Sequence, residues 1–190
     1  MQDKRTGQDF WKQLLEQFDI QTYRNTYSIF SQAYGLFGQA STILDAKAFA
    51  AVGLLCRSTV EAACYLYLTR KKVQEISKSI LWIDPPMTLD GRVRKVAFPE
   101  LREGIRKEKV LSAEQLSKLD RIGKHGDLIA HLAEVTDRVT MRSFGKTQSP
   151  FSKDLIWLDE NHAIEDMTDT MDILVTLVRA ASPAVESASM

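Results

Sequence analysis

Residues 49–68 read FAAVGLLCRSTVEAACYLYL, the most apolar run of this 190-residue chain. A run of this length matches a membrane span, but Arg57 and Glu61 interrupt it in the middle, where charges are least tolerated. The stretch therefore reads as the central helix of a bundle, apolar on several sides because several helices surround it. Arg57 and Glu61 stand one turn apart, in the less favourable order for an i,i+4 ion pair. Ionised groups placed there need partners, so a structural pair is expected that fixes packing and reaches across to another helix.

A second stretch, residues 112–135, reads SAEQLSKLDRIGKHGDLIAHLAEV. Ser112 and Gln115 have capping-box spacing, in which each side chain satisfies a backbone N–H left unpaired by the first turn. Helical period follows, and the back half carries a dense polar cluster of Arg121, Lys124, His125, Asp127 and His131. At about 100° per residue, Lys124, Asp127 and His131 share one strip. Gly123, Gly126 and Ala130 flank it on one side and Leu128 and Leu132 on the other, which predicts a partly buried polar strip.

Around these helices, Thr6 and Asp9 have the spacing to cap a short first helix. Residues 20–44 read as a long second one with an aromatic stripe at Tyr23, Tyr27, Phe30, Tyr34 and Phe37, expected in the core. Asp45 is expected to cap the central helix, which runs to about Lys72. Pro85, Pro86 and Asp90-Gly91 break the pattern, and a small β-like insert is expected over about 79–98, with Leu155–Asp159 as a second strand candidate. Pro99 suits the first turn of a helix reaching about Lys109. Asn161 is expected to cap a closing amphipathic helix, and the residues from Pro183 to 190 a frayed tail. The fold class predicted is thus all-α, an up-and-down bundle of five or six helices with a small β-like insert, in one domain over residues 1–190.

Composition narrows the function. Hydrophobic residues make up 44% and charged residues 26%, ordinary for a globular protein, while 25 basic residues balance 25 acidic ones. Zero net charge argues against a protein built mainly to grip phosphate backbones, although a local basic patch stays open. The opening MQDKRTGQDFW has no apolar run like a signal peptide's. Cys56 and Cys64, eight residues apart on one helix, are about 12 Å apart along it, too far for a disulfide. A cytoplasmic location is the expectation, with no membrane attachment. The chain carries no GxGxxG, P-loop, HExxH or paired CxxC, and His125, His131 and His162 lack metal-site spacing, so no metal and no cofactor is expected.

The stretch LLCRSTVEAACYLYL (residues 54–68) resembles the Arg-x-x-x-Glu helix of the HEPN superfamily, and GDLIAH (126–131) resembles its Gly-Asn-x-x-Ala-His segment. The helix order is also similar. The resemblance implies a helical bundle that dimerises through the motif-bearing helices. In active members it implies metal-independent RNA cleavage by an arginine and a histidine with a spacer of about four to six residues between them. The histidine carries over to His131. A lysine, Lys124, stands where the arginine is expected, with six residues between it and His131, while nine residues separate Arg121 from His131. Lysine keeps the charge but lacks the planar fork that holds phosphate oxygens bidentately.

Two functions follow. In the first, a HEPN-like homodimer binds or cleaves RNA, in bacterial stress or phage defence. His131 is its acid/base, Lys124 its cation and Asp127 the group orienting the imidazole, with Arg121 and His125 as RNA-binding residues. In the second, the chain is a non-catalytic interaction module for a protein partner, and Arg57, Glu61, Asp127 and His131 form a buried network fixing helix register.

Overall fold

The computed structural model describes residues 5–76, 96–130 and 159–182. These form an all-α bundle of six helices: α1 (Gly7–Glu16), α2 (Ile20–Asp45), α3 (Phe49–Ile76), α4 (Phe98–Glu108), α5 (Ala113–Ala130) and α6 (Glu160–Ala181). No strand occurs among the described residues. The expected β-like insert lies outside them except at its end, where Phe98 is already helical and opens α4. The second strand candidate also lies outside, except for Asp159.

Local chemistry starts most of these helices. Thr6 Oγ1 accepts the Asp9 N–H at 3.2 Å while Asp9 returns the bond to the Thr6 N–H at 2.8 Å, a complete capping box. The same box opens α5, with Ser112 and Gln115 exchanging bonds of 3.1 Å. Asp19 caps α2 by accepting from the Thr22 N–H, and Pro99 sits in the first turn of α4. Two caps differ from expectation. The residue capping α6 is Asp159, which accepts from the His162 N–H at 3.0 Å, and Asn161 already lies inside the helix. Asp45 is the last residue of α2, and its carboxylate accepts from the Gly7 N–H at 2.7 Å instead of capping α3.

The bundle is organised on α3, which packs against α2, α4, α5 and α6. Contacts along the helices fix their directions. Trp11 faces Gly38 across the α1–α2 pair, Gly53 meets Ile129 and Gly126 meets Arg57, and Gly104 meets Leu68. Thus α1 runs antiparallel to α2, and α5 antiparallel to α3, whereas α4 runs parallel to α3 (Phe98 beside Arg57, Gly104 beside Leu68). The core between them holds Phe10, Leu14, Phe30, Phe37, Val52, Cys56, Val60, Leu119, Ile122, Met167 and Leu174, each fully buried. By length and composition Phe49–Thr69 of α3 matches a membrane span, and 39% of that stretch is buried against other helices. The aromatic stripe of α2 divides: Phe30, Tyr34 and Phe37 are core, while Tyr23 is half-buried and Tyr27 is 48% exposed.

Candidate functional site

The two stretches that carry the motifs meet where α3 crosses α5. Gly126 lies so close to Arg57 that a Cβ at position 126 would fall 2.7 Å from Arg57 Cβ and 2.9 Å from its Cγ. Only a glycine permits that approach. The Arg57 stem is thereby pressed against α5, and its guanidinium ends between two carboxylates. Nε donates to Glu61 Oε1 at 2.9 Å on its own helix, and Nη1 donates to Asp127 Oδ1 on α5. Phe98, at the start of α4, closes the group from above, with the guanidinium carbon 5.6 Å from its ring centroid, a cation–π distance. The same ring fills the space that the missing side chain of Gly123 leaves open. Burial works against the charge of Arg57, but the bonds to Glu61 and Asp127 outweigh it and raise its pKa. Glu61 is half-buried and Asp127 exposed, so the group forms the rim of the bundle rather than its interior.

Arg121 and His125 lie on another face of α5, opposite α6. There Lys118, Arg121 and His125 at i, i+3 and i+7 face Asp172, Asp169, Asp166 and Glu165 at the complementary spacing of an antiparallel helix. Lys118 Nζ donates to Asp172 Oδ2 at 2.9 Å, Arg121 to both Asp169 and Glu165, and His125 Nδ1 pairs with Asp166 at 2.9 Å. Gln115 extends the ladder, its Nε2 donating to Asp172 and Thr176 at 3.0 and 2.7 Å. Asp166 and Asp169 are buried. Burial raises the Asp169 pKa, and the hydrogen bond from Arg121 only partly restores its ionised form. Asp172 and Glu114 raise the pKa of Lys118. The His125 ring also stands 6.5 Å, edge to face, from His162, whose own Nδ1 lies 2.8 Å from Asp159.

The sequence-predicted residues therefore separate. Arg57, Glu61 and Asp127 are together, while Arg121 and His125 belong to the α5–α6 ladder. Lys124 lies on the same strip as Asp127, exposed. His131 follows Ala130 and lies outside the described residues. Sequence reasoning missed Phe98, hidden in an apparent strand, and missed the acidic partners on α6. The i, i+3/i+4, i+7 spacing of Glu165, Asp166, Asp169 and Asp172 was the available signal, obscured by the apolar stripe beside it. Each of Arg57, Lys118 and Arg121 meets at least two carboxylates, so the charge of each is already matched within the bundle. Among the described residues no group of three or more His, Cys, Asp or Glu is placed to hold a metal ion. Cys56 and Cys64 are fully buried, and burial pushes both thiol pKa values up, that of Cys64 to about 12. Neither suits a nucleophile. Comparison with protein-family models, with curated proteins and with solved structures gives no match to any of them.

Proposed function

We propose that the chain is a HEPN-like protein that binds or cleaves RNA at the exposed strip of α5, acting as a homodimer in the cytoplasm. The observation that supports this reading is the contact of Gly126 and Asp127 with Arg57. Two motif stretches separated by about 70 residues in sequence are joined by the close approach of a glycine and a cross-helix ion pair. On this reading Arg57 and Glu61 are positioning groups that hold Asp127 and thereby the strip. Lys124, exposed on that strip, is the cation offered to a phosphate, and His131 is the acid/base.

The chemistry needs no metal. The ribose 2′-oxygen attacks phosphorus while its proton passes to a base, and the P–O5′ bond breaks as the 5′-oxygen takes a proton. A 2′,3′-cyclic phosphate and a 5′-hydroxyl result. His131 serves one of the two proton transfers, and Lys124 stabilises the charged phosphorane. The test is incubation of purified, folded protein with mixed cellular RNA in excess EDTA, beside His131→Ala and Lys124→Ala. Cleavage lost in both variants is expected. Cleavage unchanged by His131→Ala refutes the assignment.

A second reading, a non-catalytic interaction module, is favoured by one observation: Arg57 and Arg121 are already paired with carboxylates. On that reading His131→Ala lowers the melting temperature and leaves partner affinity nearly intact. Absence of RNA cleavage and RNA binding by the folded protein would select it.

A further inference from the structure

On the opposite side of the bundle, α1 and α2 leave an open groove of about 620 Å³, within the range of small-ligand sites. One end is aromatic. Tyr23 and Tyr27 stand 5.2 Å apart between ring centroids, and Tyr27 lies nearly parallel to Tyr34, with an interplanar angle of 10° and a centroid distance of 6.0 Å. Trp11 of α1 forms the facing wall, packed 3.5 Å from the position of a Cβ at Gly38. Between these walls is Gly35, where an added Cβ would meet nothing within 4 Å. The exposed ring of Tyr27 thus stands beside a notch in the α2 surface at Gly35.

The lining decides what fits. It consists of four aromatic side chains, Ile43, the glycines and the neutral polar groups of Ser31, Gln39 and Thr42, with no charged side chain among the described residues. The Thr42 hydroxyl already donates to the Gly38 carbonyl at 3.1 Å, which leaves it an acceptor. Among the described lining residues a phosphate finds no cation. A polyol offers no π face to the tyrosine rings. An aliphatic chain would bury area against the rings but leave Ser31, Gln39 and Thr42 without a partner in the ligand. A flat, uncharged ring with two or three hydrogen-bonding edge groups satisfies the whole lining by stacking on tyrosine and bonding to the amide and hydroxyls.

We infer that this groove binds an uncharged heteroaromatic ring of about the size of a nucleoside. The inference is independent of the RNA reading, because among the described residues α2 makes no contact with α5 and the groove shares no residue with the α5 strip.

The test is calorimetric titration of the intact protein with adenosine and with uridine, beside maltose as a polyol. Ligand-efficiency arithmetic for a ring system of this size gives a Kd of about 0.1 mM. Gly35→Leu fills the notch at a position with open space, so it is expected to leave the melting temperature unchanged or higher while weakening nucleoside binding at least tenfold. Tyr27→Ala should weaken it comparably. No nucleoside binding at millimolar concentration, or binding that Gly35→Leu leaves intact, overturns the inference. Binding of maltose instead overturns the ligand class. Sedimentation showing a self-associated protein that Gly35→Leu dissociates would assign the groove to a second copy and overturn it as well.

Discussion

Gly126 and Gly35 are both interior glycines of long helices, and replacing each by alanine should move stability in opposite directions. At Gly35 the new methyl meets open space, so only backbone terms act. Alanine removes unfolded-state freedom and improves helix propensity, which stabilises by about 0.5–1 kcal/mol. At Gly126 the same gain is present, but the methyl lands 2.7 Å from Arg57 Cβ and 2.9 Å from its Cγ. Arg57 Cβ is fixed to the α3 backbone, so no rotamer change removes that contact, and the helices must separate locally. Overpacking of this kind costs about 1–3 kcal/mol. The displaced guanidinium also loses part of its contact with Asp127 and Phe98, a term held to about 0.5 kcal/mol because Asp127 is 57% exposed. The sum for Gly126→Ala is a net loss of about 1–2 kcal/mol. At roughly 2–4 °C per kcal/mol for a chain of this size, thermal unfolding should place Gly35→Ala about 2 °C above and Gly126→Ala about 5 °C below the parent. In an Arg57→Ala background Gly126→Ala should cost less, with a coupling of at least about 0.5 kcal/mol in the double-mutant cycle. Equal effects at the two glycines, or additivity with Arg57→Ala, would refute the close-approach argument.

Arg121→Gln leaves the buried Asp169 without its main partner and should destabilise by about 2 kcal/mol at neutral pH, a figure already reduced for the exposure of Arg121. Burial raises the folded-state pKa of Asp169 above its unfolded value, so folding is helped by its protonation: that contribution is present below the unfolded pKa and lost as pH rises through the folded pKa. Denaturant titrations of the variant against the parent should therefore show a gap that narrows as pH falls toward the carboxylate range, and a gap independent of pH would refute it. Cys56 and Cys64, buried and held as thiols, should resist iodoacetamide in the native protein and react on unfolding, as mass spectrometry will show; labelling at native rates near those of free thiols would contradict their placement. Ser112→Ala removes one half of the box that opens α5 and should cost about 1 kcal/mol in chemical denaturation. No measurable loss would mean that the tertiary contacts of α5 fix its start without the cap.

How much of this was legible depended on whether the deciding partner was local. Thr6 with Asp9, Ser112 with Gln115, and Pro99 name their helix starts because the bonded atoms lie within one turn. Asp45 misled because a carboxylate ahead of an apolar run reads as a cap, whereas its acceptor atoms serve Gly7, 38 residues back. Asp159 and Asn161 were competing caps two positions apart, and only the backbone shows which carbonyl and carboxylate close the first turn. Within the candidate site, the Arg57–Glu61 spacing was visible, while Asp127 as the cross-helix partner required the Gly126 contact that sets the helix distance. Arg121 and His125 looked like a basic edge because their carboxylate partners sit on α6, more than 40 residues later. Tyr27 followed the period of the stripe yet faces outward, since α1 covers that face of α2 only in part.

The bond from the Gly7 amide to Asp45 gives a local clock for one part of the molecule. A first-turn amide has no partner within its own helix and ordinarily exchanges its proton with solvent almost freely. In this chain that proton is held by the far end of α2, and Gly7 itself packs against the Ser41 carbonyl with no room for a side chain. Its exchange rate therefore measures how often α1 lifts from α2, separately from the fraying that exposes the neighbouring amide of Gln8. A slow amide at position 7 ahead of a faster one would mark α1 as docked in the native state, and its rate would give the free energy of that docking directly.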